Sequence, residues 1–205
     1  MPPIETSATV IVPRWEWRCF AASLATIAQA AAIPSSAAPR ESDEIYLLDP
    51  RGTQNAKIRD EVLDIKQLRQ TDVDGLELWE PVFKARFPLS RSDLASASAI
   101  WALPLEGLAR ETYTIQQFIA EVITLRSDIK VARVHKSRRG FIFGGCIAEL
   151  AQLAVESTTL ESFSLEHEDP KRILAALREL GLDGHANTNY PLGLKRALGL
   201  AGRSA

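Results

Sequence analysis

Charged and apolar residues alternate along six segments of the chain, which is the pattern of β-strands with one polar face. In the first segment Arg14, Glu16 and Arg18 are separated by Trp15 and Trp17, so the three charged side chains share one face of a strand. The other pairs of charged residues lie two positions apart at 57 and 59, 64 and 66, 84 and 86, 136 and 138, and 166 and 168. The chain therefore carries several strands with one ionic face each.

Extending this pattern to the whole chain predicts about eight strands and four or five helices. The strands are expected over 10–20, 44–48, 55–59, 62–68, 76–87, 130–138, 146–155 and 161–168. The helices are expected over 21–32, 90–103, 114–125 and 170–180, with a short one inside 187–200. Pro81 predicts a bulge or an edge in its strand. The succession of elements indicates an α+β fold in which strands dominate.

Composition narrows the class of protein. The chain has 205 residues, 46% of them hydrophobic and 24% charged, which is typical of one large globular domain, and no linker divides it. A single domain over 1–205 is expected. The net charge of −2 disfavours nucleic acid and anionic membranes as partners, so any anion site depends on local clustering.

The expected location is the cytoplasm. The first twelve residues lack the features of a secretory signal, and the apolar stretch 21–33 is too short to span a membrane. Cys19 and Cys146 are too few for a disulfide framework, which fits a reducing compartment. The sequence has no P-loop, dinucleotide-binding or zinc-protease motif.

The ionic faces allow two interpretations. In most amphipathic antiparallel sheets the charged face lies in water, and spacing alone favours that arrangement for any one strand. Repetition on six segments supports a second interpretation, in which the faces converge on a polar channel. Like charges directly opposite on a sheet are destabilising, so such a channel must neutralise its charges internally or with a ligand.

The order of the charged motifs provides a further indication. R-W-E-W-R at 14–18 is followed by K-I-R at 57–59, D-I-K at 64–66, K-S-R at 136–138 and E-H-E at 166–168, which runs into a helix. This set, spanning about Arg14 to Lys195, resembles the CYTH domain of the triphosphate tunnel metalloenzymes. That family includes thiamine triphosphatases, inorganic triphosphatases and class IV adenylate cyclases. Its opening strand has E-x-E-x-K, so Arg14 stands where a carboxylate is expected and Arg18 where a lysine is.

The resemblance implies an eight-stranded antiparallel tunnel barrel with flanking helices, whose polar residues face the lumen. It implies hydrolysis of inorganic tripolyphosphate or an organic triphosphate with Mg²⁺ or Mn²⁺ as cofactor. The cations expected to bind phosphate are Arg18, Lys57, Arg59, Lys66, Lys84, Arg86, Lys136 and Arg138. The carboxylates expected to bind metal are Glu16, Glu149, Glu166 and Glu168, with Glu16, Glu166 and Glu168 also serving in catalysis. Arg14 removes one metal ligand.

Two other functions stay open at this point. The same basic residues could form a binding module for polyphosphate or a nucleotide that does not catalyse hydrolysis. Alternatively, the charged faces could be solvated in an interaction protein, with the four tryptophans as core or partner surface. We expect the tryptophans to be core.

Overall fold

The strands close into a barrel. The computed structural model describes residues 12–200. The eight strands of the barrel are β1 Arg14–Ala21, β2 Arg40–Leu48, β3 Asn55–Arg59, β4 Val62–Thr71, β5 Glu77–Arg86, β8 Lys130–Phe143, β9 Cys146–Val155 and β10 Thr158–His167. They follow one another around the barrel in the order β1-β10-β9-β8-β2-β3-β4-β5, and every neighbouring pair is antiparallel. The predicted α+β tunnel barrel is therefore confirmed.

Five α-helices and a small sheet lie around this barrel in the part of the chain that the structure describes. The helices are α1 Ala25–Ala30, α2 Arg91–Trp101, α3 Ile115–Glu121, α4 Pro170–Glu179 and α5 Tyr190–Ala197. A two-stranded sheet joins β6, Leu89–Ser90, to β7, Thr112–Tyr113, and a short 3₁₀ turn covers Ile123–Leu125. Between residues 12 and 200, none of the helices has the length and apolar character that a membrane crossing requires.

Local sequence explains where these elements begin and end. Ser90 and Thr114 each start a helix with a reciprocal capping box, which satisfies backbone N–H groups that have no partner within the helix. Asp169 caps α4, and proline occupies the first turn. The β3–β4 hairpin turns at Asp60 and Glu61, both with positive φ, as a tight turn between twisted strands requires.

The predicted boundaries differ from the observed ones at several strands. The expected start of β1 at Val10 lies outside the described residues. Strand β2 begins at Arg40 instead of 44, and β8 continues to Phe143 instead of ending at 138. Strand β10 ends at His167. The register shift opposite Pro81 confirms the predicted bulge. In β2 and β8 the alternation of apolar and polar residues stops at exposed charged residues, so the sequence predicts strands that end there. Hydrogen bonding to the neighbouring strands continues beyond these residues, and the observed strands are therefore longer than predicted.

The apolar faces of the strands point outward, under the helices. One cluster packs the outer faces of β2, β3 and β4 against α2 and α3, and a second packs β1, β9 and β10 against α1 and α4. Trp17 and Trp101, at 1% and 3% exposure, belong to these outer cores. Because side chains alternate along a strand, the charged residues of the same strands face the lumen.

Helix α5 closes one end of the barrel. Tyr190 and Leu194 form a third apolar cluster with residues that line the inner ends of β2, β8 and β9, including Tyr46 and Val155. The Tyr190 ring stacks on Tyr46 with 5.4 Å between centroids. The lumen is thus plugged at this end, and solvent reaches it from the other.

Candidate functional site

The lumen holds a network of paired charges. The cations that face it are Arg18, Lys57, Arg59, Lys66, Lys84, Lys136 and Arg138, and the carboxylates are Glu16, Glu44, Asp64, Glu77, Glu149 and Glu166. Several are deeply buried, with Glu44 at 1% and Lys136 at 2% exposure. Ions taken out of water to this extent must be paired, because each unpaired one costs several kcal/mol.

Glu44 is the centre of the basic part of the network. Its side chain accepts a hydrogen bond from the Tyr46 hydroxyl at 2.9 Å and lies 3.4 Å from Lys57 Nζ. Arg59 and Arg138 both approach its Oε1 atom at 3.6 Å. Burial opposes ionisation of Glu44, but Lys57 and the other nearby cations outweigh it and lower its pKa to about 2. Arg59 also lies 3.6 Å from exposed Asp60, so two carboxylates neutralise these three cations only in part.

This cationic excess faces a cavity at the open end of the barrel. The cavity has a volume of about 120 Å³, and its lining includes Lys57, Arg59, Asp64 and Lys84. Burial, together with the neighbouring cations, lowers the pKa of Lys57 to about 8, although Glu44 opposes the shift. A carboxylate oxygen of Asp64, Oδ1, is buried without a hydrogen-bond partner among the described residues. Asp60 also lines the cavity, so three cations face two carboxylates there and the lining carries a net positive charge.

A row of carboxylates crosses the neighbouring wall. Glu16 on β1 pairs in register with Glu166 on β10 and with Glu77 on β5. Asn189 and Trp79 donate hydrogen bonds to the two oxygens of Glu77. Within residues 12–200 Glu166 has no ion pair or hydrogen bond from a side chain. This row concentrates negative charge beside the basic cluster.

Glu16 and Glu166 differ in their pKa. Burial raises the pKa of Glu16, but Arg18, whose Nε lies 2.8 Å from Glu16 Oε1, and Lys66 lower it overall. The pKa of Glu166 is raised by its burial and by the negative charge of Glu16. Repulsion between directly opposite carboxylates is relieved by a proton or a bound cation.

The plugged end forms the floor of the lumen. Arg18 and Lys136 both lie over the Tyr190 ring, with the Arg18 guanidinium carbon 4.2 Å and Lys136 Nζ 4.6 Å from its centroid. Lys136 also pairs with Glu149 at 2.8 Å. Cations stacked on an aromatic face and paired with a carboxylate are well fixed. The floor is therefore preorganised.

The structure brings most of the predicted site residues together. Arg18, Lys57, Arg59, Lys66, Lys84, Lys136 and Arg138 face the lumen with Glu16, Glu149 and Glu166. Two residues lie elsewhere. Arg86 is at the rim, where it pairs with exposed Glu61 at 3.1 Å. Glu168 is exposed in the bend after β10, outside the carboxylate row, because the strand ends one residue before it.

Three important residues were not identified from the sequence. Glu44 and Tyr46 lie two apart on β2, which is the same spacing that marked the other ionic faces, but only one of them is charged. Tyr190 comes from a helix far along the chain, and its entry into the lumen has no local sequence pattern. Glu44 could have been found from its spacing, whereas Tyr190 could not.

A closed antiparallel barrel of eight strands with paired Lys, Arg and Glu side chains in its lumen is the architecture that the CYTH resemblance implied. The chain therefore forms a closed antiparallel tunnel barrel, and the lumen of its charged strands is the candidate site. The open part of the lumen is lined by ionic side chains, two apolar clusters lie outside the barrel wall, and a third closes the plugged end.

Comparison with solved structures gives similar chain paths at low identity. The PH1012 protein of Pyrococcus horikoshii OT3 is 15% identical with a TM-score of 0.49, covering 92% of this chain and 99% of its own. A candidate adenylate cyclase from Bacillus halodurans is 12% identical with a TM-score of 0.48, and the match covers 88% of this chain and 97% of the cyclase chain. A candidate adenylyl cyclase from Hippeastrum is 15% identical with a TM-score of 0.42, and the match covers 85% of this chain and 92% of the cyclase chain. That protein is described as having a dominant triphosphatase activity. No protein-family model and no curated protein matches this chain. These likenesses by themselves carry no functional argument.

Proposed function

We propose that the barrel hydrolyses a small-molecule triphosphate, with Mg²⁺ or Mn²⁺ as cofactor. The observation that supports this most strongly is the sharing of the single Glu44 carboxylate by Lys57, Arg59 and Arg138 beside an open cavity. Their excess positive charge matches a polyanion, and guanidinium groups bind phosphate oxygens through paired hydrogen bonds.

The carboxylates present fit one divalent cation. No group of three His, Cys, Asp or Glu side chains between residues 12 and 200 is placed to hold a metal ion. Glu149 is paired with Lys136 and Glu77 is hydrogen-bonded, which leaves Glu166 and the second oxygen of Glu16. Mg²⁺ typically uses one or two carboxylates and completes its shell with phosphate oxygens and water, so this pair is sufficient. When bound, the cation would supply neutralisation of phosphate charge and orientation of water.

In this proposal the chain's own residues position the phosphates. Lys57, Arg59, Lys84 and Arg138 would hold the phosphate chain at the open end, and Lys66 would lie between it and the carboxylate row. A water oxygen would attack the terminal phosphorus and pass a proton to a phosphate oxygen, the bridging P–O bond would break, and the leaving diphosphate would take the electron pair. Such a reaction needs positioning and charge stabilisation more than a covalent intermediate.

Phosphate release from tripolyphosphate with Mg²⁺ or Mn²⁺ tests the proposal directly. We expect release by the wild type and none by Glu166→Gln, which keeps its shape and loses its charge. Glu168→Gln is the matched control, since Glu168 is exposed outside the row, and it should release phosphate at the wild-type rate. Wild-type protein that releases no phosphate from any triphosphate with either metal would refute hydrolysis.

Non-catalytic binding is the second candidate. One observation favours it, namely that Arg18 Nε occupies Glu16 Oε1 at 2.8 Å and so competes with a metal for that oxygen. In that case tripolyphosphate should raise the melting temperature of the wild type and of Glu166→Gln equally, with no phosphate released.

We place either activity in the cytoplasm, in keeping with the two free cysteines Cys19 and Cys146, and propose no nucleic-acid or membrane partner.

A further inference from the structure

The β8–β9 hairpin carries two exposed isoleucines at the open end of the barrel. Ile142 is 66% exposed and Ile147 is 42% exposed, and the two are directly paired in the register. Ile142 is an even number of residues from Arg138 on β8, and Ile147 is an even number of residues from Glu149 on β9. Each isoleucine therefore shares a strand face with a lumen residue and lies on the lumen side. Ile147 is also paired with Glu166. The apolar pair thus adjoins the proposed site.

The opposite face of this hairpin is fixed in the core. Phe141, at 9% exposure, and Cys146, at 0%, belong to the outer cluster together with residues of α4. A side chain at Gly144 would lie 3.1 Å from the Ala176 Cβ atom, so the turn itself sits against α4. The two isoleucines are therefore held in place beside the mouth and exposed there, although neighbouring residues on the same strands are buried.

Gly140 leaves an opening between the cations and the isoleucines. It lies on the lumen side of β8 between Arg138 and Ile142, opposite Glu149. Its φ is not positive, and an added Cβ would meet only the Ala148 carbonyl oxygen, at 4.0 Å. Neither the backbone nor the packing requires glycine there. A glycine inside a strand often marks a place where a ligand approaches closely.

We infer that Ile142, Ile147 and the Gly140 opening form a subsite for the organic group of an organic triphosphate, which is preferred over inorganic tripolyphosphate. This inference rests on the proposed function and specifies its substrate class. The phosphates lie against Arg138 and its neighbours, and the group attached to them leaves the lumen over Gly140 and covers the isoleucines. The occupant has an apolar or aromatic face, because burying that face against two isoleucines removes apolar surface from water.

The test compares kcat/KM for tripolyphosphate with kcat/KM for ATP, UTP and thiamine triphosphate. We expect at least one organic substrate to exceed tripolyphosphate in the wild type. Ile142→Ser and Ile147→Ser should each lower kcat/KM for that substrate about fivefold to tenfold, from the apolar area left uncovered. In the same variants, kcat/KM for tripolyphosphate should stay within twofold of the wild-type value. Leu125→Ser is the matched control, because Leu125 is 58% exposed in the 3₁₀ turn and outside the barrel.

A substitution at Gly140 tests the opening separately. Gly140→Leu fills it without a clash at Cβ, so the melting temperature should hold while kcat/KM for the organic substrate falls at least tenfold. If tripolyphosphate is the best substrate, or if every variant affects all substrates equally, the inference is wrong and the hydrolase proposal stands. If serine at 142 or 147 converts a dimer to a monomer in light scattering without changing substrate preference, the isoleucines bind a second copy and the inference is also wrong. If no triphosphate is bound or hydrolysed, the proposed function itself fails.

Discussion

Replacing Glu44 with glutamine should affect stability and anion binding in opposite directions. Glu44 is fully buried, and its carboxylate is shared by Lys57, Arg59 and Arg138. Glu44→Gln keeps the volume and one hydrogen-bond acceptor but removes the charge that these cations share. The folded protein then retains three partly buried cations without the charge they shared, and removing one partner is the costly way to break such an ion pair.

The size of the loss follows from the pKa. Glu44 has a pKa of about 2 in the folded protein against an ordinary value of 4.5. At about 1.4 kcal/mol per unit, this difference stabilises the fold by about 3 kcal/mol at neutral pH. Because the folded pKa is depressed, the contribution is complete above pH 4.5 and is lost as the pH falls towards 2. The variant lacks this dependence, so the two proteins should approach each other in stability below pH 4.5.

Urea unfolding at pH 7 and at several lower pH values measures this difference. Glu111→Gln is the control, since Glu111 pairs with Arg91 but is 87% exposed, and exposed pairs contribute at most about 1 kcal/mol. Tripolyphosphate should stabilise Glu44→Gln more than the wild type, because the anion takes over the lost charge. Equal unfolding midpoints for variant and wild type, or a smaller effect of tripolyphosphate on the variant, would contradict the assigned role of Glu44.

Three further predictions concern other parts of the barrel. Glu166→Gln should raise the melting temperature in metal-free buffer, because it removes repulsion with Glu16, and an unchanged or lower value would argue against that repulsion. Tripolyphosphate affinity, measured by calorimetry, should fall by up to about tenfold per pH unit above pH 8 as Lys57 loses its proton, and Lys57→Arg should abolish this fall. Gly193→Ala should destabilise the protein by about 1–3 kcal/mol in urea, since its Cβ would overlap the Phe20 ring. If α5 did not enter the barrel, alanine would instead stabilise the helix by up to about 1 kcal/mol.

The sequence was informative wherever alternation and local turn chemistry dominate. The spacing of two between Lys57 and Arg59, and between Lys136 and Arg138, correctly placed each pair on one face of its strand. The hairpin at Asp60 and the caps of α2 and α4 followed from the same kind of local pattern. Strand ends were less predictable. The resemblance assigned Glu168 to the metal site through the E-H-E motif, and in the structure β10 stops at His167, so Glu168 lies in the exposed bend that follows.

The sequence by itself determined that these strands have one ionic face and one apolar face. Successive side chains point to opposite faces of a strand, so the residues on each face follow from the order of residues in that strand alone. It left open which face is concave, because the same amphipathic strand can turn its charges to water or to a lumen. Only the closure of β5 onto β1 decided that, with α2, α3 and α4 covering the apolar side. The plug of Tyr190 against Tyr46 and the sharing of Glu44 among cations of β3 and β8 likewise depend on contacts between residues far apart in the chain. Such contacts exist only once the barrel has closed, so no local pattern encodes them.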